Sequence, residues 1–181
     1  MPKTILETLG FRRNWVYETI VASHPKKGLA SAAPMGVWTG DLRRVKLKIY
    51  NGSKTLANIT ASGAFTVNFP KDVRLFHRAL ASKRLPLIKT PSGLHAVKDH
   101  SRLELQANDM KKAGNAVIVT AEITGHRILK NTRLFNRAEA LTLEYLISKT
   151  KPNVKANELA EYRRAIRKVA PKSEYAMIVE R

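Results

Sequence analysis

The feature that most restricts this chain is a two-residue alternation of apolar and polar side chains that recurs before residue 130. Val45–Tyr50 (VKLKIY) alternates cleanly, Trp15–Ser23 (WVYETIVAS) adds β-branched and aromatic residues, and Ala64–Phe69 (AFTVNF) is a further strand-like run. Successive strand side chains point to opposite faces, so such runs suit strands with one face on a core. Leu29–Trp38 reads as an interrupted strand, because Pro34 cannot donate to a ladder and marks an edge or bulge. Arg102–Lys111 and Ala116–Ile128 flank Ala113-Gly114-Asn115 and predict a hairpin.

Helical signals are inserted between these strands and take over after them. Ser53 is a good N-cap for a short helix to about Ala61, which Gly63 ends. Asp72 is read as the cap of a second helix with Val73, Phe76, Ala79 and Leu80 on one face. Leu85–His100, with Pro86, Pro91 and Gly93, is the least regular stretch. Asn136-Arg137-Ala138-Glu139 resembles a capping box for a helix through about Lys149, with Ala140, Leu143, Leu146 and Ile147 as its apolar stripe. Pro152-Asn153 interrupts the helical pattern. A following helix over Ala156–Val169 is expected to bury Leu159, Tyr162 and Ile166 and to show Arg163, Arg164, Arg167 and Lys168 outward. Tyr175–Val179 reads as a returning strand. The fold class expected is α+β, mainly antiparallel β: a barrel-like domain over residues 10–130 with a helical segment, 131–181, packed on it.

Composition narrows the chemistry. The 181 residues include no cysteine, which removes disulfides, thiolate nucleophiles, Fe–S clusters and Cys-based zinc sites. No apolar run is long enough to span a membrane and no signal peptide is visible at the start, so a soluble cytoplasmic protein is expected. The five histidines show no metal-ligand spacing, no pair of carboxylates stands out for hydrolysis, and there is no nucleophile elbow, so no metal and no catalytic acid or base is assigned.

The formal charge is +19, and it is spread evenly: 9 basic and 3 acidic residues in 1–50, 10 and 4 in 71–112, and 13 and 7 in 121–181. That distribution lacks the tail or block of a dedicated nucleic-acid footprint. Two windows break it. Gly28–Gly40 has no charged residue and Asn51–Pro70 has only Lys54, yet both are rich in Ser, Thr, Asn and Gly. Core strands usually avoid such residues, whereas a wall with a few uncharged polar groups is what cofactor pockets present.

Within these windows the residues point to phosphate. Gly52-Ser53-Lys54-Thr55 lacks the glycines of a Walker A loop, so a P-loop is rejected. What the segment offers is a helix start with free N–H groups, the hydroxyls of Ser53 and Thr55, the amide of Asn58 and the ammonium of Lys54. That set suits a phosphate monoester, and an ordinary Ser-capped helix accounts for it equally well. The small residues Ala32, Ala33 and Gly36 let a flat ligand approach the backbone, and Met35 can pack on an aromatic ring.

Taken in order, Glu18-Thr19-Ile20-Val21, Ser31-Ala32-Ala33-Pro34-Met35-Gly36-Val37, Ser53-x-Thr55-x-x-Asn58 and Phe65-Thr66-Val67-Asn68-Phe69 closely resemble the mainly archaeal domain-of-unknown-function 447 family. Asn136-Arg137-Ala138, Glu144, Leu146-Ile147 and Thr150-Lys151 match its helical segment, with Lys151 where the family usually has Arg. The resemblance runs from about residue 15 to residue 151. It implies a split β-barrel of the flavin-reductase and pyridoxamine-phosphate-oxidase type, usually a homodimer with FMN near the subunit interface. By that resemblance Ser53, Thr55, Asn58 and Lys54 hold the ribityl phosphate. Ser31, Ala32, Ala33 and Met35 line the isoalloxazine, while Asn68, with Thr66, meets the ribityl chain or ring edge. The function expected is an FMN-binding oxidoreductase or flavin reductase using a reduced nicotinamide. The alternatives are a polyanion or nucleic-acid binder working through Arg163, Arg164, Arg167 and Lys168, and a non-catalytic FMN carrier or sensor.

Overall fold

Each period-two run becomes a strand in the computed structural model, which describes residues 2–81, 85–150 and 153–180. The elements run α1 (Ile5–Leu9), β1 (Tyr17–Ser23), β2 (Ser31–Trp38), β3 (Arg44–Tyr50), α2 (Lys54–Ser62), β4 (Ala64–Phe69) and α3 (Arg74–Leu80). They continue through β5 (Leu87–Lys89), β6 (His95–Val97), β7 (Ser101–Ala113) and β8 (Ala116–Arg127) to α4 (Ala138–Lys149), α5 (Ala156–Val169) and α6 (Glu174–Glu180). Six strands close a barrel in the order β1-β2-β3-β8-β7-β4, every pairing antiparallel. The Leu85–His100 stretch, expected to be irregular, forms the small β5–β6 hairpin on the barrel's outside.

Alternation decides what fills the barrel. Val45, Leu47 and Ile49 of β3, Phe65, Val67 and Phe69 of β4, and Leu103 and Leu105 of β7 join one buried cluster. Burying apolar side chains of this size contributes about 1.5–3 kcal/mol each, so the lumen is the main source of stability. A smaller cluster lies on the other side of β1, where Ile20 meets Leu75 of α3 and Val97 of β6. The seam between β2 and β3 is short. β2 pairs with β1 along seven residues but with β3 only at Val37–Leu47 and Trp38–Lys46. The barrel is therefore split along most of β2, and Pro34 lies at the open edge, as its missing N–H requires.

The helices depart from expectation in several places. In α3, Leu75 is the buried residue, while Val73 and Leu80 are exposed. Asp72 accepts from the Arg74 N–H, but the helix begins only at Arg74 and has no side-chain cap. In α4 the predicted capping box does not form: Asn136 Oδ1 accepts from the Ala138 N–H, with no return bond from Glu139. The face of α4 is also reversed. Ala138, Thr142, Tyr145 and Ser148 are buried, and Leu143, Leu146 and Ile147 are exposed. Arg163 does not point outward. Its Nε donates to the Val179 carbonyl at 2.7 Å and its Nη2 to the Tyr145 hydroxyl at 2.8 Å, so it joins α4, α5 and α6. Tyr175–Val179 lies in helix α6 rather than a strand, with Ser173 accepting from the Ala176 N–H. Lys151 and Pro152 lie outside the described residues.

The helical segment is tied directly to the barrel. The Val16 N–H donates to the Val169 carbonyl at 2.9 Å and the Glu18 N–H to the Phe135 carbonyl at 2.8 Å. Asn136 Nδ2 spans the carbonyls of Val16 and Val169 at 2.8 and 2.9 Å. The family-like Asn136-Arg137 pair thus works as a joint, with Arg137 Nε on Glu18 Oε1 at 2.8 Å.

Candidate functional site

The open edge of β2 sets the geometry. Pro34 stands opposite Ile20, and without an N–H it must occupy a position whose backbone points away from β1. Alternation then turns the N–H groups of Ala32 and Gly36 the same way, towards β3, whose pairing stops at Val37–Leu47 and leaves the Ala32 N–H facing the unpaired gap. Gly36 is required for a separate reason: a Cβ there would lie 2.7 Å from a methyl group of Val16. The half-buried small side chains and this free edge form a flat wall with backbone donors and acceptors.

Helix α2 packs against that wall. Asn51-Gly52 turns the chain out of β3, with Gly52 in the left-handed region, and Ser53 caps the helix by accepting from the Leu56 N–H at 3.2 Å. Lys54 is exposed at the helix start, while Thr55 and Asn58 face inward and are buried. Asn58 Nδ2 donates to both the Ser23 and Ser31 hydroxyls at 3.1 Å, and those two hydroxyls lie 3.5 Å apart. The structure therefore brings Ser31 and Asn58 into one network and adds Ser23, which sequence reasoning missed. Ser23 carried no signal of its own; the register Ser23–Ser31 places it there.

Asn68 is separate. It is fully buried, donating to the Ile20 carbonyl and the Thr66 hydroxyl at 3.0 and 2.9 Å and accepting from the Val97 N–H at 2.9 Å. Thr66 in turn donates to the His95 carbonyl at 2.7 Å. These bonds fasten β4 to β1 and to the β5–β6 hairpin. Thr19, also missed, donates to the Met35 carbonyl at 2.8 Å and steadies β2 from behind.

Two imidazoles stand at the same end of β1. The rings of His24 and His95 are 5.6 Å apart and tilted by 51°, and the Nδ1 atom of each is buried with no hydrogen-bond partner. Burial holds His95 below the ordinary histidine range, with the neighbouring His24 and Lys89 acting in the same direction. Among the described residues no cluster of three or more His, Asp or Glu side chains could hold a metal ion. No helix among them is long and apolar enough to cross a membrane.

Residues 17–130 match the family model described as "Protein of unknown function (DUF447) N-terminal domain". The chain belongs to this family. Among solved structures, the FMN-bound DUF447 protein MM1853 from Methanosarcina mazei is similar at 16% identity and a TM-score of 0.62, over 97% of this chain and 96% of that one. An FMN-binding protein from Thermus thermophilus with bound p-hydroxybenzaldehyde shares 12% identity at a TM-score of 0.54, over 64% of this chain and 73% of that one. The flavin reductase PheA2 shares 16% identity at a TM-score of 0.54, over 67% and 89%. At these identities the likeness establishes the fold: a split barrel of the flavin-reductase type.

Proposed function

We propose that this member of the family binds FMN and serves as an oxidoreductase or flavin reductase that draws electrons from a reduced nicotinamide. The observation that carries the reading is the open β2 edge beside the start of α2. A flat wall with free backbone groups suits an isoalloxazine, and a helix start with hydroxyls and an ammonium suits its phosphate. Ser53, Thr55 and Lys54 take the phosphate, and Ser31, Ala32, Ala33 and Met35 line the ring. Asn58 steadies this wall through Ser31, and Asn68 holds β4 to β1 and to the β5–β6 hairpin. Bound flavin supplies the electron and hydride chemistry, while the chain's residues bind, orient and shield it. Ligands in FMN-bound relatives of the same fold support this choice of cofactor.

The division into a flavin-binding barrel over 10–130 and a helical segment over 131–181 belongs to the same proposal, as does a homodimer. The exposed Leu143, Leu146 and Ile147 of α4 support the dimer, since they form an apolar patch that a single chain leaves in water. Light scattering on the purified chain gives its mass directly.

The deciding experiment is reconstitution with FMN. Wild type should retain flavin through gel filtration with shifted visible bands, and Ser53→Ala with Thr55→Ala should weaken binding about tenfold or more, a loss of about 1.4 kcal/mol. A wild-type chain that retains no flavin at micromolar concentration rejects the proposal. Anaerobic bleaching by NADH or NADPH separates an oxidoreductase from a carrier.

A further inference from the structure

Three depressions follow one another on the α3 side of the barrel. The first, about 430 Å³, is bounded by Lys71, Arg74, Arg78 and His100. The second, also about 430 Å³, runs from Lys71 past Ser101 to Lys130 and Arg133. The third, about 760 Å³, begins at Arg133 and passes over Phe135, Phe76 and Pro34 to Leu143. Lys71 borders the first two and Arg133 the last two, so the three adjoin as a trough in three parts.

Its charges are unbalanced at one end. Asp72 neutralises Arg74 at 2.9 Å, and Glu18 neutralises Arg137 at 2.8 Å. Among the described residues, Lys71, Arg78, Lys130 and Arg133 have no carboxylate within ion-pair distance. Glu139, in the third depression, is the one lining carboxylate left without such a partner. Lys71, Lys130 and Arg133 line the second depression together, with Arg78 beyond Lys71 in the first; like charges on one depression repel, and an anion that bridges them removes the cost. The other end is aromatic. The Arg133 guanidinium lies 4.8 Å from the Phe135 ring centroid, and Phe135 meets Phe76 edge-on at 5.9 Å. One residue, Arg133, thus belongs to both the cationic and the aromatic end.

We infer that this trough binds a diphosphate ester bearing a flat apolar group. Lys71, Arg78, Lys130 and Arg133 take the diphosphate, and Phe135, Phe76 and Pro34 take the flat group. Four cations suit two phosphates, because each phosphate offers several acceptor oxygens to charged donors. Each volume is that of a small-molecule site, and the one aromatic pair offers a place for a single flat group rather than for a string of bases. A small ligand is therefore favoured over a nucleic-acid strand. Pro34 belongs to the open edge of β2, so the flat group reaches the strand proposed to line the flavin. A reduced nicotinamide dinucleotide is one member of the class, and only that link rests on the function proposed above.

Calorimetry on the full chain, with and without saturating FMN, tests the site with inorganic pyrophosphate, ADP-ribose and a thymidine oligonucleotide. Pyrophosphate should bind, with affinity falling as salt rises from about 50 to 200 mM. ADP-ribose should bind about tenfold tighter, or about 1.4 kcal/mol. Arg78→Gln combined with Lys130→Gln should weaken both ligands about tenfold and leave FMN affinity unchanged. Phe135→Ala, checked by circular dichroism for an intact fold, should weaken ADP-ribose alone. No heat from pyrophosphate at millimolar concentration overturns the inference, and so does equal affinity for pyrophosphate and ADP-ribose. An oligonucleotide that binds more tightly than ADP-ribose overturns it in favour of a polyanion surface. FMN that competes with ADP-ribose, and is lost in the Arg78/Lys130 variant, places the flavin in the trough and also overturns it. Loss of FMN binding with ADP-ribose binding intact counts against the proposed function alone.

Discussion

Strand β3 and helix α4 obey opposite logics. In β3, the sequence pattern and the burial agree: Val45, Leu47 and Ile49 enter the lumen, and Arg44, Lys46, Lys48 and Tyr50 face out. In α4, the more apolar stripe faces out, with Leu143 58% exposed, while the helix packs through Thr142, Tyr145 and Ser148. The buried polar groups there are all satisfied. Thr142 donates to the Ala138 carbonyl, Ser148 to Glu158, and Tyr145 accepts from Arg163. The outer face of β3 is uncovered, so the lumen is the one dry surface on which that strand can bury a face. A helix on its outside has neighbours that can select any face whose polar atoms they can satisfy.

The sharpest test of this contrast is a pair of truncations. Phe65→Ala, in the lumen, should cost about 3–5 kcal/mol in chemical denaturation, the range for deleting a buried aromatic ring. If Phe65→Ala costs no more than a surface change, the lumen is not the dominant core. Next comes Tyr145→Phe, which leaves the Arg163 guanidinium short of one acceptor at a fully buried site. It should cost about 1.5–3 kcal/mol, as expected for a hydrogen bond to a charged group, and a neutral result would show that packing alone holds α4. Ser53→Ala should remove about 1 kcal/mol through loss of the α2 cap, besides its effect on flavin.

Two smaller effects complete the series. His95 has its folded value lowered, so the unfolded chain binds the extra proton as pH falls through the ordinary histidine range. Stability contributed by the neutral ring is present above the unfolded value of about 6.5 and is lost as pH drops towards the folded one. Melting curves between about pH 5 and 7 should show a decline that His95→Gln flattens; equal slopes in both proteins would remove His95 as its source. Leu143→Ser should change the stability of a single chain by no more than about 0.5 kcal/mol. A larger loss that depends on protein concentration would mean that the outward stripe of α4 is buried between copies.

Much of the fold can be read from local pattern. Ser53 and Gly63 bound α2 as their chemistry predicts, and Ala113-Gly114-Asn115 closes the β7–β8 hairpin. Pro34 marks the open edge through its missing N–H alone. Helix α1 was missed by sequence reasoning, although its Thr4–Glu7 capping box is an equally local signal. The candidate site is only partly legible. Ser31 and Asn58 are apart in sequence and meet only because the packing of α2 brings Asn58 within 3.1 Å of both Ser31 and its β1 neighbour Ser23. Asn68 looks like a ligand residue by type and neighbourhood, yet its three bonds are set by β1, β4 and the distant β5–β6 hairpin. Arg163 belongs to a basic run, and nothing in that run announces that a carbonyl of α6 and a hydroxyl of α4 will claim it.

The sequence by itself determined the six barrel strands, the inward face of β3 and the two charge-poor windows. These follow from the two-residue period, from proline's missing N–H and from the cost of burying charge, all of which act within a few residues. Only the tertiary structure decided which face of α4 packs, which polar groups share a network, and which cations border the same depression. Those outcomes depend on pairings between residues far apart in the chain. Lys71 and Lys130 border one depression because the barrel closes, and Phe76 of α3 meets Phe135 at the joint between barrel and helices.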